Sequence, residues 1–233
     1  MNSMEYKDLD GGSINDSISI YNCDCMDLLR QTPDNYYSLA IVDPPYGINV
    51  NTNSGRRKGE KKRYAEKDWD KGIPKTEYFI ELQRVSKNQI VWGCNYFDGL
   101  LWSSGRISWF KNVGPDNDYS DCELAMSSFN NKVTHVKIDW SGFIMPVNER
   151  GTKRIHPTQK PISLYQWLLT KYAKEGDKII DTHLGSGSIA IAIDNVNKIE
   201  KMNLTLTACE LDTDYFKAAM KRIEQQTAQQ TIF

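Results

Sequence analysis

The sequence predicts an α/β fold in which a mixed, mostly parallel sheet is flanked by helices. Short β-rich runs alternate with segments of helical periodicity along most of the chain, as expected for strands joined by crossover helices. Two of the predicted strands end in polar turns, one at Asp43 and one at Asp181. Ligands bind beyond the carboxyl ends of strands in an open α/β sheet, so these turns predict a functional site.

The predicted elements follow one another without an internal repeat or a linker, so the 233 residues are expected to form one domain. Strands are predicted at residues 17–22, 38–43, 89–93, 106–111, 132–138, 178–181 and 204–210. Helices are predicted at residues 26–31, 75–86, 162–174, 186–195 and 214–226. The run 132–138 alternates apolar and polar residues, which is typical of an antiparallel or edge strand. Residues 1–16 are polar and predict a disordered lead-in to a single domain that spans residues 17–233.

Composition excludes several classes of protein. The apolar runs are far shorter than the roughly 20 residues of a membrane helix, and the polar N-terminus does not resemble a signal peptide. The five cysteines are odd in number and contain no C-x-x-C pair, which argues against a disulfide framework and against a zinc site. We therefore expect a cytoplasmic protein with no membrane partner and no bound metal.

Local charge differs from the overall net charge of −1. Residues 56–71 contain eight Lys or Arg residues and two aromatic residues, within a long loop predicted at 47–73. A basic loop of this kind suits contacts to phosphate, although a solvated loop can have the same composition. The candidate nucleic-acid-binding residues are Arg56, Arg57, Lys58, Lys61, Lys62, Arg63 and Tyr64.

The first polar turn is the tetrapeptide Asp43-Pro44-Pro45-Tyr46, which follows the apolar run LAIV. The two prolines fix their φ angles and disfavour helix, so the turn is stiff. The Asp43 carboxylate can accept a hydrogen bond from an amino group, and the Tyr46 ring can stack on a base. A proline-stiffened strand exit with a capping Asp would use the same residues without a ligand.

The second polar turn is rich in glycine and lies between a predicted strand and an apolar helix. Glycines let the backbone approach a ligand closely, and the helix N-terminus favours a polar or anionic group. An acid that ends the next strand can hold ribose hydroxyls, and Glu210 has that place. A simple tight turn remains an alternative, and the loop lacks the G-x-G-x-x-G spacing of dinucleotide-binding proteins. The candidate residues here are Asp181, Leu184, Gly185, Ser186, Gly187, Ser188 and Glu210.

A third segment, H-P-T-Q-K-P at residues 156–161, immediately precedes a predicted helix. Pro161 is placed to start that helix. Thr158 and Lys160 could reach a carboxylate. Without further context the segment indicates only the start of a helix.

Taken together, these motifs resemble the amino-methyltransferases of DNA. The likeness is to the circularly permuted group, in which D-P-P-Y precedes H-P-T-x-K-P and the glycine motif comes last. It covers residues 17–223, nearly the whole chain. The resemblance implies a Rossmann-like methyltransferase fold with S-adenosylmethionine as cofactor and double-stranded DNA as partner.

The resemblance also implies roles for individual residues. Residues 43–46 would be the catalytic tetrapeptide, and the residues of the glycine loop would bind the methionine end of the cofactor, with Thr158 and Lys160 near its carboxylate. Glu210 would hold the ribose. The run 21–25 resembles an element whose acid holds the adenine amino group of the cofactor, which selects Asp24 and the adjacent Cys25. Residues 113–154 would form a short target-recognition segment.

The expected activity is methyl transfer to N6 of an adenine flipped out of the duplex. Cytosine N4 methylation is the nearest alternative, although Asp43 favours adenine, since the cytosine enzymes more often have Ser there. A non-catalytic DNA-binding module of the same fold is the alternative outside enzymes. The resemblance leaves open a homodimer, a cognate restriction endonuclease, and a bacterial or phage origin near the nucleoid.

Overall fold

The computed structural model describes residues 6–49, 67–97, 99, 102–113, 120–140, 145–146, 149–150, 152 and 154–228. Within these residues nine strands form one sheet and five α-helices pack on it. The strands are β1 Gly11–Asn15, β2 Ile18–Tyr21, β3 Tyr37–Val42, β4 Ser86–Trp92, β5 Gly105–Phe110, β6 Cys122–Ser127, β7 Val133–Lys137, β8 Lys178–Asp181 and β9 Thr205–Cys209. The helices are α1 Cys25–Gln31, α2 Thr76–Val85, α3 Ile162–Tyr172, α4 Ser188–Glu200 and α5 Thr213–Thr227, with a 3₁₀ turn at Cys94–Tyr96.

The strand order is β1-β2-β9-β8-β3-β4-β6-β5-β7. Seven of the nine described strands run in one direction, and only β1 and β6 run opposite to them. The sheet is therefore mixed and mostly parallel, as the sequence predicts. β7 is an edge strand as expected, but it pairs in parallel with β5.

The sheet separates two hydrophobic cores, because successive strand residues point to opposite faces. In β3, Leu39 and Ile41 pack with α3, α4 and α5 on one face. Ala40 and Val42 pack with α1 and α2 on the other face. This three-layer arrangement buries β3 on both sides and explains its continuous apolar run.

The disordered lead-in predicted for residues 1–16 is wrong for its second half. Gly11–Asn15 is β1, paired antiparallel with β2. Tyr6 is buried as well, and its hydroxyl lies 3.0 Å from Thr32 Oγ1. The segment GGSIN shows no apolar alternation because most of its side chains remain exposed, so its pairing with β2 leaves little trace in the sequence.

A second strand that the sequence analysis does not predict is β6, between β4 and β5. It lies within the predicted target-recognition segment 113–154, as does β7. Because β6 runs opposite to its neighbours, its first residues lie at the same edge of the sheet as the carboxyl ends of β4 and β5.

A distant acid caps α3. Its N-cap is Pro161, which has no side-chain acceptor. The fully buried Glu149 accepts hydrogen bonds from Ile162 N at 2.9 Å and from Ser163 N at 3.0 Å. The carboxylate thus satisfies two of the free amides at the helix start and complements the helix dipole.

Gly93 follows β4 in the left-handed region, with φ of 74°. A Cβ atom at this position would lie 2.1 Å from Cε1 of Tyr46. The Tyr46 ring therefore occupies the space that any other residue at 93 would need.

We expect Gly93→Ala to lower the free energy of unfolding more than Gly176→Ala does. Gly176 has a similar φ of 78° but open space around its Cα, so it serves as the matched control. Forcing a Cβ into the left-handed region costs about 1–2 kcal/mol in both variants. Overpacking against Tyr46 adds about 1–3 kcal/mol in Gly93→Ala alone. Urea unfolding measures the free energy of unfolding of both variants. Equal decreases would show that the Tyr46 ring moves aside without a loss of stability.

Candidate active site

Residues that directly follow β3, β8 and β9 line one cavity of about 850 Å³. Asp43 and Pro45 follow β3, Gly185 lies in the loop after β8, and Glu210 follows β9. These strands are adjacent and parallel, so their carboxyl ends meet at one edge of the sheet. The volume is within the range of roughly 300–1,000 Å³ of small-molecule sites.

Glu210 organises the glycine-rich loop. Its two carboxylate oxygens accept hydrogen bonds from Gly185 N at 2.8 Å and from Asp212 N at 2.9 Å. Burial raises the pKa of Glu210 above its ordinary value. Each oxygen keeps a second lone pair, so a carboxylate that already shapes the loop can also accept a hydrogen bond from a ligand.

Three of the residues predicted around the glycine-rich loop support it from the protein interior. Asp181, Gly187 and Ser188 are not among the described residues that line the cavity, whereas Leu184, Gly185 and Ser186 are. The buried Asp181 accepts a hydrogen bond from His183 N at 3.0 Å, and burial raises the pKa of Asp181 to about 8. Ser188 Oγ donates to Lys160 O at 2.8 Å and so ties α4 to the segment before α3.

The start of α1 forms another part of the wall. Asp24 caps this helix by accepting a hydrogen bond from Met26 N at 2.8 Å, and both Asp24 and Cys25 line the cavity. Burial raises the pKa of Cys25 to about 12, so its thiol stays protonated at neutral pH. Both residues selected from the sequence are therefore at the cavity.

Three aromatic rings that the sequence analysis does not select form a further wall. The rings of Trp69 and Tyr215 lie 5.2 Å and 4.3 Å from that of His156. Burial lowers the pKa of His156 to about 3, so the ring is neutral and its Nδ1 is available to Thr158 Oγ1 at 3.1 Å. Aromatic residues spaced this far apart in sequence give no local signal of a shared wall.

The segment of Trp69 is fixed at two points. Lys67 Nζ lies 2.6 Å from one carboxylate oxygen of Asp212 and 2.7 Å from Asp214, both at the start of α5. The buried Asp70 accepts hydrogen bonds from Tyr46 N at 2.9 Å and from Gly47 N at 3.0 Å. One short segment thus contacts both the helix beside the glycine loop and the turn after β3.

The turn after β3 presents Asp43 to the cavity in a fixed orientation. The Tyr46 hydroxyl donates to Asp43 Oδ1 at 2.6 Å, and Tyr46 stacks on Tyr96 with 4.9 Å between ring centroids. Pro44 is buried between the cavity residues Asp43 and Pro45. The stiff tetrapeptide is therefore supported by packing as well as by its prolines.

The second carboxylate oxygen of Asp43 is paired with the Lys160 ammonium, which is 4% exposed. Lys160 Nζ also lies 3.1 Å from Glu123 Oε2, and Lys111 Nζ lies 3.2 Å from Glu123 Oε1. Burial alone would lower the pKa of Lys160, but the two carboxylates outweigh it and raise that pKa. Lys160 is thus at the cavity, but its charge is directed at Asp43 and Glu123, a contact that the sequence does not reveal.

The structure brings most of the predicted residues together. Those of the predicted site that line the cavity are Asp24, Cys25, Asp43, Pro45, Thr158, Lys160, Leu184, Gly185, Ser186 and Glu210. The predicted nucleic-acid-binding residues between Arg56 and Tyr64 lie outside the described residues. No helix in the described part of the chain is long and apolar enough to cross a membrane.

The DNA methylase family matches residues 91–221, more than half of the chain. The type II methyltransferase M.HinfI of Haemophilus influenzae is 24% identical over an alignment that covers 91% of this chain and 70% of the relative. The type II methyltransferase M2.LlaDCHI of Lactococcus lactis subsp. cremoris is 26% identical over 136 residues and 57% of this chain. The chain spans 45% of M2.LlaDCHI, about half its length.

Solved structures show the same fold. The crystal structure of the M1.HpyAVI–SAM complex gives a TM-score of 0.56 at 19% identity and covers 88% of this chain and 99% of that one. The PvuII DNA methyltransferase, described as cytosine-N4-specific, gives a TM-score of 0.54 at 12% identity. The match covers 91% of this chain and 92% of that one. These likenesses confirm the predicted Rossmann-like methyltransferase fold. The match to the family shows a relationship in sequence as well as in fold. The chain belongs to the DNA methylase family of the N6/N4 type.

Proposed function

We propose that this protein transfers a methyl group from S-adenosylmethionine to N6 of an adenine in double-stranded DNA. The observation that carries the proposal is the shared cavity: the Asp43 turn and the loop held by Glu210 line the same space of about 850 Å³. Asp43, the proposed hydrogen-bond acceptor, and the proposed cofactor-binding loop therefore border the same space, and one bound molecule can contact both. Family membership supports the reaction class.

The residues present fit S-adenosylmethionine. Glu210 offers free lone pairs for ribose hydroxyls, and Asp24 is an acceptor for the adenine amino group. Around Gly185 the nearest atom to an added Cβ is 3.8 Å away, on His156, so the backbone of the loop can be approached closely. Because Lys160 is paired with Asp43 and Glu123, Thr158 is the better placed of the two residues to contact the cofactor carboxylate.

The chemistry requires orientation more than acid–base power. When bound, the cofactor supplies an electrophilic methyl group on a sulfonium sulfur, which keeps the electron pair of the broken C–S bond. The amino nitrogen of adenine is a poor nucleophile, because its lone pair is delocalised into the ring. We propose that Asp43 and the Pro44 carbonyl accept its two hydrogens and so direct the lone pair at the methyl carbon.

Positive charge then develops on the nitrogen as the N–C bond forms. Hydrogen-bond acceptors placed there therefore bind the transition state more strongly than the substrate. One N–H proton must leave to restore a neutral methylated amine. Of the two proposed acceptors the Asp43 carboxylate is more basic than the Pro44 carbonyl, so Asp43 takes this proton and water removes it afterwards.

The target base has to leave the duplex before it can reach Asp43, at a cost of a few kcal/mol. Stacking of the base on Tyr46 would offset about 1–3 kcal/mol of that cost. The basic residues between Arg56 and Tyr64 and the segment 113–154 are proposed to contact the DNA. A second copy of this chain and a cognate restriction endonuclease are also proposed as partners.

Experiment distinguishes adenine methylation from two alternatives. Cytosine N4 methylation would use the same cavity, and the fold is shared with a methyltransferase described as cytosine-N4-specific. Asp43 in the first position of the tetrapeptide favours adenine. A non-catalytic DNA-binding module would bind the cofactor or DNA without turnover.

Labelled S-adenosylmethionine and unmethylated DNA, followed by nucleoside analysis of the product, test the function directly. We expect N6-methyladenine from the wild-type protein. N4-methylcytosine would overturn the choice of base and keep the reaction class. Bound cofactor without transfer to any DNA would favour the non-catalytic module.

In the same assay we expect Asp43→Ala to lower the rate of transfer about 100-fold or more, because the acceptor for the amino hydrogens is lost. Cofactor affinity should stay within about threefold of wild type, since the loop held by Glu210 is intact. Asp16→Ala, in the exposed turn between β1 and β2, is the control and should leave both unchanged. A folded Asp43→Ala protein that no longer binds cofactor would contradict the assigned role.

We expect Glu210→Gln to raise the Kd for S-adenosylmethionine about tenfold or more. The substitution removes the charge and turns an amide NH₂ towards the N–H of Gly185 or Asp212, so one hydrogen bond of the loop is lost. Isothermal titration calorimetry measures the Kd. Glu224→Gln, on the exposed side of α5, is the matched control. An unchanged Kd in Glu210→Gln would exclude this carboxylate as a cofactor contact.

A further inference from the structure

Four charged side chains form a continuous network at the edge of the sheet where Asp43 lies. Lys111 follows β5 and pairs with Glu123 at 3.2 Å, and Lys160 lies between Glu123 and Asp43. Glu123 is the second residue of β6. It reaches this edge because β6 runs opposite to its neighbours, so the amino end of β6 meets the carboxyl ends of β4 and β5.

We propose that Glu123 is a positioning residue for methyl transfer: it shares the Lys160 ammonium with Asp43 and thereby leaves the Asp43 carboxylate free to accept the hydrogens of the target amino group. This inference rests on the proposed function and adds a residue to it that touches neither substrate nor cofactor. Glu123 acts through Lys160.

The geometry explains why such sharing matters. Each oxygen of Asp43 already has one partner, the Tyr46 hydroxyl at 2.6 Å on one and Lys160 on the other, and keeps a second lone pair for a ligand. An ammonium that paired with Asp43 alone would compete strongly with a neutral amino group for that carboxylate. Glu123 contacts the same ammonium at 3.1 Å, so part of the attraction of Lys160 is directed away from Asp43.

The two carboxylates differ in their affinity for a proton. Burial would raise the pKa of Glu123, but Lys160 and Lys111 outweigh it and hold that pKa below its ordinary value. Burial raises the pKa of Asp43, and the nearby charge of Glu123 adds to the increase despite Lys160. Relative to its ordinary pKa, Asp43 therefore holds a proton more tightly and Glu123 holds one less tightly.

Three other titratable groups face Asp43, and one of them, Tyr46, also has its hydroxyl 3.5 Å from Glu123 Oε2. Tyr46 lies in the same turn, Tyr165 faces Asp43 from α3, and Asp181 faces it from the end of β8. Together with Lys160 and Glu123 they are the titratable groups of the described residues that face Asp43. Removal of the Glu123 charge should lower the pKa of Asp43, because one source of repulsion is lost and Lys160 pairs with Asp43 alone.

The test is Glu123→Gln, which keeps the size of the side chain and removes its charge. We expect kcat to fall about tenfold or more at neutral pH, with an unchanged KM for S-adenosylmethionine. The acid limb of the kcat–pH profile should move to lower pH, since activity requires the Asp43 carboxylate and its pKa is lowered. A loss of kcat that is equal at every pH would overturn the proposal, because a structural role alone gives that result.

Glu81→Gln is the matched control. Glu81 is also an ion-paired and mostly buried acid, 18% exposed and 2.7 Å from Arg84, but it lies in α2 away from the network. Its replacement should leave kcat and the pH profile unchanged. A similar shift in both variants would also count against a specific role for Glu123.

A double-mutant cycle with Lys160→Met identifies the route of the effect. If Glu123 acts through Lys160, Glu123→Gln should cause no further loss of kcat in the Lys160→Met background. Equal losses in both backgrounds would show that Glu123 acts independently of Lys160. Circular dichroism establishes that each variant is folded, and the pH profile of Glu123→Gln decides the question if Lys160→Met is not.

A measurement without turnover separates this inference from the proposed function. The carboxyl ¹³C signal of Asp43 in aspartate-labelled protein, assigned by its absence in Asp43→Asn, reports the titration of this group. We expect its midpoint to be lower in Glu123→Gln than in wild type, and an unchanged midpoint would overturn the coupling. A lower midpoint in a protein that methylates no DNA would refute the proposed function while leaving the coupling intact.

Discussion

The Lys160 ammonium is almost completely buried, and much of the architecture around the cavity is arranged to keep it neutralised. A buried cation is tolerated only when carboxylates and hydrogen bonds replace its water. Asp43 after β3 and Glu123 in β6 provide these partners, although they are 117 and 37 residues away in sequence. The rings of Tyr46 and Trp92 lie 5.6 Å and 5.5 Å from the ammonium and enclose it further. The contact therefore fixes the start of α3, the turn after β3 and the place of β6 relative to one another.

The order of the strands gives this network its neighbours. β3 lies between β8 and β4, so its carboxyl end is adjacent to the glycine-rich loop on one side. On the other side β6 brings Glu123 to the same edge. The cavity is thus bordered by a charged cluster that orients Asp43 and by a loop whose backbone is held by Glu210. The catalytic and cofactor roles that we propose are separated by one strand spacing.

Local patterns in the sequence were sufficient to predict the strands that are buried on both faces and the turns that follow them. β3 and β8 have continuous apolar runs and end in Asp43 and Asp181, so both their existence and their exits were predictable. β1 was not, because its exposed and glycine-containing segment lacks alternation. The contacts of Lys160 with Asp43 and Glu123 depend on strand order, and so does the cap that Glu149 provides to α3. Pairing between distant segments has no local signature, which is why these contacts become visible only in the folded protein.

The strand order also determines when the sheet can form during synthesis. β4 is the parallel neighbour of β3 that comes first in the chain, whereas the other edge of β3 has no partner until β8 is made. In the described sheet the β1–β2 hairpin is joined to the other strands through β9, which is made after β8. Loop-closure entropy makes such distant pairings slow, and unpaired strand edges are exposed in the meantime. A nascent chain of this protein therefore carries the Asp43 turn without the neighbouring strands β8 and β9 until residues 178–209 have been synthesised, and the cavity that these strands border can form only then.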